Sequence, residues 1–274
     1  MNQVDYSPER MPLALVEEIS SHLRIGIAHA EMGWVCGRED EDVLTGDLGS
    51  SLRRGWSPIR KLQGRAWRWR VDYNGPTLAT RIPPDSVGAK QFRRLVHIAE
   101  IQWRATYAKF RGRGRNAAEK FTGADGILQI EFIDKSAGLF RTKGILFQAK
   151  KRGSEEPSRL IAQVQKMEQL APHGSAVFEY SESGYHAIDG TDVIESNGRI
   201  AKSTLQSLDH YLADRFLRCA VGMFGLYYDH SSKVLTVPGG ESGVAGLLGP
   251  TRHELRIRVR SSEIAGIVSP RPTG

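Results

Sequence analysis

The sequence predicts an α/β chain. Three observations point there: amphipathic helical stretches near both ends, short apolar runs of strand length between them, and turn residues that break the two kinds apart. At 274 residues, with 40% hydrophobic and 25% charged content, the chain is long enough to bury a sizeable core in one domain. No linker interrupts the pattern, so residues 1–274 read as one unit. Its core spans about 38–190, a leading helix precedes the core, and a C-terminal elaboration covers 200–274.

Taken in order, residues 12–32 carry Leu15, Ile19, Leu23 and Ile27 at four-residue spacing, with Pro12 suited to a first helical turn. A second helix is expected from Glu41, with Val43, Leu44, Leu48 and Leu52 as its apolar side and Gly55 as its stop. Residues 65–71 alternate Arg65, Trp67, Trp69 and Val71 with Ala66, Arg68 and Arg70, the period of a strand. Asn74-Gly75 marks a turn. Residues 85–110 read as a helix through Phe92, Leu95, Val96, Ala99 and Trp103.

The stretch Arg111-Gly112-Arg113-Gly114-Arg115 then reads as a flexible basic loop, followed by two apolar runs, GILQIEF and GILFQAKK. A helix is expected over 158–170 from Leu160, Ile161, Val164 and Met167, and a hairpin from GSAVFEY and YHAID across Ser183-Gly184. Leu205, Leu208, Leu212, Phe216 and Leu217 predict a further helix over 203–224. A glycine-rich stretch, 238–249, leads to HELRIRVRSSEI, a strand with Arg256, Arg258 and Arg260 on one face.

The chemistry lies around the two apolar runs. Asp125 stands at the start of the first, and Gln148, 23 residues later, near the end of the next with Lys150 two further on. Side chains two apart in a strand project to one face, so Gln148 and Lys150 point together while Ala149 points away. If the two runs pair, Asp125 joins them, and an oxygen ligand for a hard cation shares a pocket with an ammonium. The glycines beside the acid, Gly123 and Gly126, are expected to allow close approach of backbone and substrate.

This arrangement resembles the PD-(D/E)xK nuclease superfamily, in the variant with Gln for the second acid found in Mrr-like restriction enzymes and anti-phage effectors. The likeness covers roughly 38–190 and rests on Asp125, Gln148, Lys150 and an upstream acidic helix. It implies a restriction endonuclease-like α/β/α core, with a central mixed sheet flanked by helices. It also implies a Mg²⁺- or Mn²⁺-dependent DNA endonuclease, used in restriction or anti-phage defence and restrained by a partner protein, a ligand or self-assembly.

Asp125 and Gln148 would then hold the metal and Lys150 would orient or activate water. Gln148 brings no charge, which makes a third acid more necessary. GREDEDVLTGDL offers Glu39, Asp40, Glu41, Asp42 and Asp47, of which Glu41 is favoured and Asp42 comes second. Gln163, on the following helix, resembles a polar residue often found near the active site of such nucleases, but a solvated helix surface is the favoured reading for it. Lys151, Arg152, Arg111, Arg113 and Arg115 are the expected contacts to double-stranded DNA, with Arg68, Arg70 and the 256–260 arginines as further basic faces. Trp67 and Trp69 read as core. The alternative is a catalytically silent nucleic-acid-binding or assembly subunit on the same fold.

The net charge of +7 and pI near 9.5 suit a polyanionic partner. There is no nucleophile elbow, phosphate-binding P-loop, dinucleotide fingerprint or close histidine pair. Without an apolar run of spanning length or a signal-peptide pattern, no membrane association is expected. Cys36 and Cys219 fit small buried residues of a reducing cytoplasm.

Overall fold

A computed structural model describes residues 13–34, 39–58, 98–110, 118–134, 139–153, 156–200, 203–232, 234–238 and 251–264. The fold is α/β: a central mixed sheet carries helices on both faces. Its strands are β1 (Arg54–Pro58), β2 (Ile98–Lys109), β3 (Gly126–Asp134), β4 (Leu139–Lys151), β5 (Ser175–Ser181), β6 (Gly184–Asp189), β7 (Gln206–Ser207) and β11 (His253–Ile264). They run in the order β1-β2-β11-β3-β4-β5-β6-β7, and β8 (Met223–Phe224) adds beside β4. β9 (Tyr227–Asp229) and β10 (Val234–Thr236) form a separate ribbon. β11 runs parallel to β3, and β4 runs parallel to β5. The other neighbours along the order are antiparallel.

Alternation along each strand separates two cores. Leu128, Ile130, Ile145 and Phe147 face α1 (Leu13–Met32) and α2 (Glu41–Ser51). Ile127, Leu146 and Val177 face α4 (Pro157–Leu170) and α5 (Gly190–Glu195). The short α3 (Ala118–Thr122) precedes β3, and α6 (Leu208–His210) continues as a π-helical turn over Tyr211–Phe216 against α1. The expected helices at 12–32, from Glu41 and at 158–170 are all present, but the second ends at Ser51 with Leu52 as its cap, Gly55 already belongs to β1, and Val43 is exposed. Also present is the hairpin of β5 and β6, whose register closes at Ser181 opposite Gly184.

Three expectations are corrected. The described part of the region read as a helix over 85–110 is strand β2, with Trp103 and Ala105 buried. Its other side carries Gln102, Arg104 and Thr106 opposite Arg260, Arg258 and Arg256 of β11, so polar and apolar residues alternate with the period of a strand. The helix expected over 203–224 is confined to 208–216. The last strand is no appendage: β11 lies between β2 and β3, so the sheet does not close within 38–190.

The arginine face of β11 turns to protein partners. Arg256 and Arg258 reach Glu131 at 3.1 and 2.6 Å, Arg256 also reaches Glu254 at 2.6 Å, and Arg260 donates to Gln102. The expected strand at 65–71 with Trp67, Trp69, Arg68 and Arg70, the turn at Asn74-Gly75 and Cys36 lie outside the described residues, as does the basic loop of Arg111, Arg113 and Arg115.

Candidate active site

The antiparallel register of β3 and β4 sets the site. Gly126 pairs with Phe147, so the preceding residue, Asp125, falls opposite Gln148. Gln148 Nε2 donates to Asp125 Oδ2, and the same oxygen accepts from the backbone N of Ala149 at 2.9 Å. Both side chains are buried. Lys150, two residues on from Gln148, lines the same cleft, a hollow of about 220 Å³ at the end of the sheet. Gln148 Oε1 is buried and has no hydrogen-bond partner.

The loop before Asp125 is held by packing rather than kept open for substrate. Gly123 has φ +73°, and a Cβ there would lie 2.2 Å from the backbone oxygen of Gln163 on α4. A Cβ at Gly126 would meet the Phe147 ring at 2.2 Å, and that ring is stacked on Phe178. Both glycines therefore serve close packing, contrary to the expectation that they open the backbone to a ligand.

The N-terminus of α2 forms one wall. Asp40 caps it by accepting from Val43 N at 2.8 Å. Asp40, Glu41 and Asp42 all line the cleft, where the positive end of the helix favours carboxylates. Glu39 and Asp47 are not among the lining residues. Glu41 Oε1 accepts from the backbone N of Lys151 at 3.2 Å, which brings this carboxylate beside the strand that carries Gln148 and Lys150.

Asp42 is engaged elsewhere: Lys109 Nζ lies 2.5 Å away, His253 Nε2 2.9 Å and Arg252 3.7 Å. Burial raises the Asp42 pKa, but the hydrogen bond from Lys109 and the charges of His253, Lys109 and Arg252 outweigh it and leave the carboxyl below its ordinary value. Glu41, the favoured acid, instead lies beside β4 through its bond to the Lys151 backbone.

The opposite wall is α4, which contributes Arg159 and Gln163. Gln163 is half-buried and its Oε1 lacks a partner, so it faces the cleft instead of lying on a solvated surface as expected. The start of β11 supplies Arg252 and His253. None of Arg159, Arg252 and His253 is singled out by sequence reasoning. The parallel placement of β11 beside β3 brings the last two in, and no local motif signals that pairing.

Two of the expected DNA contacts are used differently. Lys151 Nζ lies 5.8 Å from the centre of the Trp34 ring, on the other side of the sheet from Lys150. Arg152 pairs with buried Glu179 at 3.3 Å and reaches Ser183. The cations that line the cleft are instead Lys150, Arg159 and Arg252.

The donor set suits a hard divalent cation. The carboxylates of Asp125 and Glu41 and the orphaned amide oxygen of Gln148 are the oxygens that Mg²⁺ or Mn²⁺ prefers, few in number and leaving room for water and a phosphate oxygen. Among the described residues, no three His, Cys, Asp or Glu side chains are grouped to hold a metal. Compared with protein-family models, with curated proteins and with solved structures, the chain finds no match.

Proposed function

We propose that this chain is a metal-dependent phosphodiesterase that cuts DNA, built on the restriction endonuclease-like core that the Asp125, Gln148 and Lys150 pattern resembles. The observation that supports it is the meeting of the Asp125–Gln148 cross-strand pair, Lys150 and the helix-borne Glu41 in one cleft. Asp125, Glu41 and Gln148 Oε1 would hold Mg²⁺ or Mn²⁺. Such an ion, when bound, neutralises phosphate charge and acts as a Lewis acid on the diester.

The chain's own groups do the rest. Lys150 donates to the attacking water or to a non-bridging phosphate oxygen, which fixes the line of attack on phosphorus. Arg159 and Arg252, across the same cleft, hold the flanking backbone phosphates without reading bases. The restriction or anti-phage role, the cytoplasmic setting, and restraint by a partner protein, a ligand or a second copy of the chain belong to the same proposal. Among the described residues, no helix is long and apolar enough to cross a membrane.

Plasmid DNA with Mg²⁺ or Mn²⁺ tests the reading. Wild type is expected to cut, and Asp125→Ala and Lys150→Ala to lose at least about 100-fold while still binding DNA. Binding without cleavage across both metals would favour a silent subunit, a reading encouraged by the uncharged Gln148. Failure to bind DNA or RNA at low salt would overturn both.

A further inference from the structure

His253 connects two parts of the cleft that are far apart in the chain. Its backbone N donates to the carbonyl oxygen of Asp125 at 2.9 Å, because β11 starts level with β3. Its ring, 2% exposed, places Nε2 2.9 Å from Asp42 Oδ1 and Nδ1 2.8 Å from the Tyr107 hydroxyl. A carboxylate only accepts, so Nε2–H donates to Asp42 and Nδ1 accepts from Tyr107.

Tyr107 is held in turn. Its ring is stacked on His253, 6.0 Å between centres and 18° from parallel. A Cβ at Gly49 of α2 would lie 2.2 Å from that ring, so helix and tyrosine are in closest contact. Lys109 and Arg252 already supply positive charge to Asp42. What the imidazole adds is direction: it ties the first turn of α2, where Glu41 precedes Asp42, to the backbone of Asp125.

We propose that His253 is a positioning residue that sets the separation of Glu41 and Asp125 and so the affinity of the site for a divalent cation. This rests on the reading that those two carboxylates hold the ion. Groups that orient metal ligands without touching the metal typically change its affinity by about 10–100-fold when removed.

The test uses two amides that differ only in reach. A glutamine can place its NH₂ where Nε2 stands, whereas an asparagine reaches only as far as Nδ1. Mn²⁺ binding to the full chain is followed by the electron paramagnetic resonance signal of free Mn²⁺, for wild type, Asp125→Ala, His253→Gln and His253→Asn. The expected result is Mn²⁺ binding that Asp125→Ala abolishes, that His253→Asn weakens about 10-fold or more, and that His253→Gln retains within about threefold, at equal melting temperatures for the two His253 variants.

Wild-type affinity in His253→Asn, or an equal loss in both His253 variants, would overturn the inference and leave the metal site standing. Should His253→Asn not fold, Tyr107→Phe takes its place: weaker Mn²⁺ binding supports the inference, and unchanged binding overturns it. If wild type binds no Mn²⁺, or Asp125→Ala binds it equally well, the metal-site reading itself fails and the inference falls with it.

Discussion

Placing an acid at position 148 tests the facing pair of Asp125 and Gln148. In Gln148→Glu, the amide N–H that reaches Asp125 is lost and a second carboxylate takes its place in a site where both residues are buried. A hydrogen bond to a charged acceptor contributes roughly 1.5–3 kcal/mol. Two like charges about 4 Å apart repel by about 4 kcal/mol at an effective dielectric of 20, until one of them takes up a proton. The variant should therefore be about 4 kcal/mol less stable than wild type without metal at pH 8, a fall of roughly 8–16 °C in melting temperature for a chain of this size. One of the two carboxyls has its folded-state pKa raised above its unfolded value. Its penalty thus appears as pH rises through that raised value and fades below it, so the gap should narrow at pH 5. Millimolar Mg²⁺ should narrow it too, because the added charge becomes a ligand. Thermal melts with and without EDTA at both pH values measure all of this. Equal melting of variant and wild type in EDTA at pH 8 would refute the placement of Gln148 opposite Asp125.

Three further outcomes follow from the same geometry. Gly123→Ala should destabilise the chain by more than the roughly 1 kcal/mol cost of a left-handed alanine, because its Cβ meets the Gln163 backbone at 2.2 Å; an unchanged denaturation midpoint would contradict this. Glu131→Ala leaves Arg256 and Arg258 facing each other in the sheet without their shared carboxylate, and should cost about 3–5 kcal/mol in urea unfolding. His253 binds a proton less readily folded than unfolded, so metal-free stability should fall as pH drops from about 6.5 towards 4. The full displacement is worth roughly 3 kcal/mol, and His253→Gln should flatten the slope in that window.

What was legible in the sequence follows from how local each signal is. Asp125, Gln148 and Lys150 sit on consecutive strands joined by a short connection, so strand alternation and antiparallel pairing suffice to bring them together. Glu41 was narrowed by its place in a first helical turn. Its separation from Asp42 needed tertiary contacts, since Lys109, Arg252 and His253 come from β2 and the start of β11. β2 was misread because apolar spacing in Val96, Ala99 and Trp103 imitates a helical stripe. The period of two is nonetheless present over 102–106, where buried Trp103 and Ala105 alternate with Gln102, Arg104 and Thr106. Proximity to Lys150 suggests Lys151 and Arg152 as DNA contacts. Strand parity sends Lys151 to Trp34, and Glu179 on the neighbouring strand captures Arg152.

Asp125, Gln148 and Glu41 are proposed to hold one divalent ion beside Lys150. Anomalous diffraction from a crystal soaked in Mn²⁺ tests it most directly. A single strong peak is expected in the cleft, about 2.0–2.3 Å from a carboxylate oxygen of Asp125, one of Glu41 and the amide oxygen of Gln148. A cleft without a peak at millimolar Mn²⁺, or an ion held only by other residues, would contradict it.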